Sequence, residues 1–75
     1  MARLPVVSAE ELIRVLMKLD YRKVRQRGSH IVLQKKEERK TTTVVIPNYS
    51  EIAKGTLKSI LRKTNIELET LIKLL

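Results

Sequence analysis

Arg25, Gln26, Arg27, Gly28, Ser29 and His30 stand in a row, and the row contains the only histidine and one of the two glycines of the chain. Histidine is the side chain whose ordinary pKa lets it both give and take a proton near neutral pH. Among fixed positive charges it suits proton transfer beside a polyanion, with Arg25 and Arg27 as phosphate-holding groups. The plain alternative is a solvated turn residue with charged neighbours. Which of the two applies depends on how the surrounding elements present the histidine.

The chain has 75 residues, which predicts one domain spanning 1–75. It has no cysteine, so disulfide staples and thiolate metal sites are excluded. A single histidine leaves too few good ligands for a zinc site, and no cofactor is expected. The opening stretch Met1–Val7 is too short for a signal peptide and no apolar run is long enough to span a bilayer, so a soluble cytoplasmic protein with no membrane association is expected. Sixteen Lys+Arg against eight Asp+Glu give a formal net charge of +8. In so short a chain, phosphate-bearing partners are the usual reason for such a field, and a lysine-rich solvated surface is the bland one. The positive residues crowd the middle, from Lys18 to Lys40. Tyr21 and Tyr49 are the only aromatic residues. That is too few rings for a platform on which single-stranded bases stack.

The elements that position His30 follow from local pattern. Ser8 and Glu11 form a capping box, with Val7 placed to staple against Leu12. Leu12, Val15, Leu16 and Leu19, widened by Ile13, recur at helical spacing, predicting a helix over about 9–19. Residues 21–26 and Ile31-Val32-Leu33 are two extended runs around Arg27-Gly28-Ser29, a hairpin in which Gly28 supplies the positive φ. A charged turn over Lys35–Lys40 leads to a β-prone third strand, Thr41–Ile46, which Pro47 ends. If Ile31 and Leu33 face the helices, alternation puts His30, Val32 and Gln34 on the other, open face.

After a loop over Pro47–Gly55, Thr56 reads as the N-cap of a second helix carrying Leu57, Ile60 and Leu61. Lys54 and Lys58 flank that cap, where the helix dipole would prefer acids; either the helix start seats a phosphate, or these are solvated lysines beside an ordinary cap. Asn65 ends the helix, and a last one over 67–75 shows Leu68, Leu71, Ile72 and Leu75 as its apolar stripe. The expected fold is α+β: a two-layer α-β-β-β-α(-α) domain with a three-stranded antiparallel sheet, an order shared with double-stranded-RNA-binding domains.

Val24–His30 after a capped helix, then Val45-Ile46-Pro47, then Lys54-Gly55-Thr56-Leu57-Lys58-Ser59-Ile60-Leu61 resemble the HicA family of small toxins from toxin–antitoxin pairs. The resemblance runs from about Leu4 to Leu75. It implies a double-stranded-RNA-binding-domain-like fold, ribosome-independent cleavage of messenger RNA, a catalytic histidine matching His30, and a HicB-like antitoxin covering the active face. Many relatives carry a second histidine where this chain has Ile31, and another in the loop where it has Asn48-Tyr49.

Such a reaction needs no metal in principle, because RNA carries its own nucleophile. A positioned histidine acting as general base contributes about 10²–10⁴-fold. Arg25, Arg27, Gly28 and Ser29, with Lys54 and Lys58, are the expected phosphate-binding residues, and the donor of the leaving-group proton stays open between water, a lysine and Tyr49. A non-catalytic RNA-binding module and a protein-interaction domain for an acidic partner are the competing readings.

Overall fold

Ser8 starts the first helix as its residue type demands. Its hydroxyl accepts from the Glu11 N–H at 3.0 Å, and the Ser8 N–H donates to the Glu11 carboxylate at 2.9 Å, closing the capping box. The computed structural model describes residues 3–75; Met1 and Ala2, where the opening stretch begins, lie outside the described residues. In chain order the elements are α1 (Ala9–Lys18), β1 (Arg22–Arg27), β2 (His30–Lys36), β3 (Thr41–Pro47), α2 (Lys54–Thr64) and α3 (Leu68–Leu74). This is the α+β order expected, with a sheet of three antiparallel strands in the order β1-β2-β3.

Two helices end by the same device. Asp20 (φ 72°) follows α1, and Asn65 (φ 57°) follows α2, each in the left-handed region. The Asp20 and Tyr21 N–H groups donate back to Met17 and Leu16; those of Asn65 and Ile66 donate to Arg62 and Leu61. These paired bonds satisfy carbonyls that a helix end leaves orphaned, and they turn the chain toward its next element.

One face of the sheet is covered. Leu12, Val15 and Leu16 of α1, Ile31 and Leu33 of β2, Val44 and Ile46 of β3, and Leu57 and Ile60 of α2 are buried in a single cluster. Val7 and Tyr21 join it. The core contains no buried polar or charged side chain among the described residues.

Three expected details differ. α2 begins at Lys54, with Ala53 before it and no side-chain cap, so Thr56 lies inside the first turn instead of capping the helix. The Leu57 N–H already bonds to the Ala53 carbonyl at 2.9 Å, which sets the helix start ahead of the Gly-Thr pair. The loop therefore covers only 48–53, and β2 continues through Lys36 before the turn. In α3, Leu71 is buried and Leu68 and Leu74 pack partly on the core, whereas Ile72 and Leu75 are exposed. That helix is two turns long and leans on α1 along one edge, where Lys18 Nζ also donates to the Leu74 carbonyl at 3.0 Å. An i, i+3, i+6 line serves this contact, and the wider stripe is not needed.

Candidate nucleic-acid interface

Arg27 pairs directly with His30 across a two-residue turn of Gly28 and Ser29. Of the two, only Gly28 has a positive φ (59°), the position a two-residue hairpin turn of this kind gives to glycine. Space around its α-carbon is open, so the backbone angle, not crowding, selects glycine.

The ladder fixes which side chains share a face. Residues opposite one another in an antiparallel pair point the same way, with Cβ atoms about 4.5–5.5 Å apart. Ile31 and Leu33 are buried, so Val32 and His30 face outward, and with them their partners Arg25 and Arg27 on β1 and Val45 and Pro47 on β3. His30 is exposed, as strand parity predicts.

β1 does not alternate regularly. Lys23 pairs with Leu33 and Arg25 with Val32, leaving Val24 as an extra residue in a bulge. Past the bulge the alternation is inverted, and Arg22, opposite Gln34, comes to the same open face as Arg25 and Arg27. Lys23 and Gln26 take the other face, three residues apart yet joined by a bond from Lys23 Nζ to Gln26 Oε1 at 2.9 Å. Gln26 Nε2 in turn donates to the Gly28 carbonyl at 3.3 Å. Three arginines in a row thus lie across the ladder from β2, with His30 at the end. Arg14–Glu10, on α1, is the one ion pair among the described residues, so no carboxylate in this structure neutralises the arginines.

At the His30 end, the Asn48 N–H donates to the Ser29 carbonyl at 2.6 Å, and the Tyr49 N–H to the Pro47 carbonyl at 2.8 Å. The Tyr49 carbonyl accepts from Ala9 at 2.9 Å. The loop after β3 is therefore tied to the hairpin turn, with the Tyr49 ring left exposed. Lys54 and Lys58 follow this loop on α2, in the helical layer; both are exposed. α2 has no acidic residue in its first turn and no side chain on its first amides. The structure so brings Arg25, Arg27 and His30 together with Arg22, and leaves Lys54 and Lys58 as a second basic group without a hydrogen bond to the first.

The broad open groove of the molecule lies at the far end of β2 from His30. It is lined by Met17, Tyr21, Val24, Gln34 and Lys35 among others, and it meets the basic face only at Arg22. A polymer does not need a cavity, and the chemistry-bearing side chains stand on the flat face. Arg22 and Val45 are members of that face that sequence reasoning did not single out. For Val45 a signal existed: it alternates with Val44 and Ile46, which are buried.

Fold and face together define a small two-layer α+β domain with a basic open face and one exposed histidine at a hairpin. The chain belongs to the family of HicA toxins of bacterial toxin–antitoxin pairs, whose sequence model matches residues 9–66. That span runs from the first residue of α1 to just past α2 and leaves α3 outside. Membership implies a toxin with an antitoxin partner. No curated protein matches the chain. No helix among the described residues is long and apolar enough to cross a membrane.

Proposed function

We propose that this protein is an endoribonuclease toxin that cleaves messenger RNA, with His30 as general base and without a metal ion. The observation that carries the reading is the ladder register that sets exposed His30 directly opposite Arg27 and on one face with Arg25 and Arg22. In the reaction, His30 takes the proton of a ribose 2′-hydroxyl, and the 2′-oxygen attacks the adjacent phosphorus. The bond from phosphorus to the 5′-oxygen breaks and that oxygen takes a proton from water, leaving a 2′,3′-cyclic phosphate and a 5′-hydroxyl. Arg25 and Arg27 hold the phosphate and stabilise charge growing on its non-bridging oxygens. Gly28 and Ser29 shape the turn so that the backbone can approach the RNA. Lys54, Lys58 and the uncapped amides of α2 take a neighbouring phosphate of the same strand.

A HicB-like antitoxin neutralises the toxin by covering this face in the cytoplasm. The test is RNA cutting by wild type and His30→Ala in buffer with a chelator. Wild type should produce 2′,3′-cyclic or 3′-phosphate ends, and His30→Ala should lose at least about 100-fold in rate with an unchanged melting temperature. A folded His30→Ala protein that cuts equally well overturns the assignment. Salt-sensitive RNA binding with no cutting by wild type would leave a binding module instead.

A further inference from the structure

The sheet has two edges, and they are finished differently. β1 carries a bulge and four basic residues in six, features that keep an edge from pairing with another chain. β3 carries neither. Its seven residues, Thr41–Pro47, hold no charge and pair with β2 in unbroken register.

The backbone directions along β3 can be read from that register. In an antiparallel ladder, hydrogen-bonded and non-bonded pairs alternate. The Glu37 N–H donates to the Lys40 carbonyl at one end, and Asn48 to Ser29 at the other. Counting inward from both ends makes Thr42, Val44 and Ile46 the residues bonded to β2. Pro47, which has no N–H, falls on a non-bonded pair, as it must. The N–H and carbonyl groups of Thr41, Thr43 and Val45 therefore point away from the sheet, and no backbone bond among the described residues takes them up. Val45, 45% exposed, adds an apolar side chain on the open face beside this row.

We propose that this edge is a docking site for an extended, acidic segment of the antitoxin, which adds to the sheet as a fourth strand beside β3. The segment's own N–H and carbonyl groups bond to those of Thr41, Thr43 and Val45, and an apolar side chain rests on Val45. Charge selects the occupant. The chain carries +8, and Arg39 and Lys40, just ahead of the edge, have no ion-pair partner among the described residues. An acidic segment gains from that field, whereas a second copy of the chain would bring another +8 against it. Strands lie about 4.8 Å apart, so the added strand sits roughly 10 Å from β2 and flanks His30 instead of occupying its place. The inference rests on the antitoxin reading above, but not on what His30 does to RNA.

Amide hydrogen exchange on the free toxin and on its purified complex with the antitoxin tests it. The amides of Thr41, Thr43 and Val45 should exchange fast in the free protein and at least tenfold more slowly in the complex, while those of Thr42, Val44 and Ile46 are slow in both. Unchanged exchange at Thr41, Thr43 and Val45 in the complex overturns the proposal. Concentration-dependent protection of the free toxin also overturns it, since a second copy then holds the edge. As a second arm, Thr43→Pro removes an outward N–H and leaves the backbone ladder bonds to β2 intact, at the cost of the side-chain bond from Gln34 Nε2 to Thr43 Oγ1. It should weaken antitoxin binding at least tenfold with RNA cutting retained. Full-strength binding by folded Thr43→Pro counts against the fourth strand, and exchange in the wild-type complex decides the matter should that variant not fold.

Discussion

β1 and β3 flank the same central strand and are put to opposite uses. Every residue of β1 is exposed, and its ladder is interrupted at Val24. β3 buries Val44 and Ile46 under the helices and runs without a break. A strand with no buried residue adds little hydrophobic stabilisation, so its sequence is free to answer to a ligand. A strand with two buried aliphatic side chains answers to the core. The domain therefore keeps its stability in β2, β3 and the helices, and displays its charge on β1.

The sharpest way to break this contrast is to truncate one residue on each strand. Ile46 is fully buried, and Ile46→Ala should cost about 2–5 kcal/mol. In a domain this small that lowers the melting temperature by roughly 10 °C or more. Arg27→Ala should change stability by no more than about 0.5 kcal/mol, yet weaken RNA binding. Thermal melting and RNA affinity on the same two proteins decide it. If Arg27→Ala melts as low as Ile46→Ala, β1 is structural and the division is wrong.

A finer cut lies within β1. Deleting Val24 leaves the pairs Arg22–Gln34, Lys23–Leu33, Arg25–Val32, Gln26–Ile31 and Arg27–His30 available in a ladder without the bulge. The three arginines keep their face, and RNA affinity should stay within about threefold of wild type, roughly 0.6 kcal/mol. Deleting Arg25 instead moves Val24 into the slot opposite Val32 and takes one cation off the face. The slope of log affinity against log salt should then fall by about 0.7 for single-stranded RNA. Equal losses for both deletions would mean that the bulge itself shapes the RNA contact.

Local chemistry made much of this legible in the sequence. The Ser8–Glu11 box, the apolar spacing of α1 and the glycine of the hairpin each act within a few residues, and each stands where the pattern puts it. The open-face position of His30 followed from parity along β2, because Ile31 and Leu33 commit that strand to one orientation. What sequence could not yield is the third arginine on the face of His30. Val24 reads as an ordinary strand residue, and its place in a bulge is set by pairing with another strand. Arg22 joins the site only through that pairing. The start of α2 was missed for a related reason: Gly55 and Thr56 have the types of a turn and a cap, yet the helix had already begun on backbone bonds alone. Tyr21 and Tyr49, alike in type, went to opposite places, one buried beneath Lys35 and the other exposed on the loop.

Tyr21 offers the smallest and cleanest test of the buried side. The residue is 4% exposed, and burial raises its pKa above 10.0, with the Thr42 hydroxyl partly offsetting the rise and the Glu37 carboxylate adding to it. The folded state thus holds the phenolic proton more tightly than the unfolded chain does. At pH 7 both states are protonated and the group has no effect on the pH dependence. Above pH 10 the unfolded chain loses the proton first, so stability should fall as pH rises through the gap between the two values. Tyr21→Phe keeps the ring in the core and beneath Lys35 Nζ, 5.9 Å from its centroid, while removing the titrating group. The two proteins differ in this one group, so the difference between wild type and variant isolates the tyrosine. Denaturant midpoints at pH 8 and pH 11 should fall further for wild type than for Tyr21→Phe. Parallel falls would place the phenol in water and remove it from the covered face of the sheet.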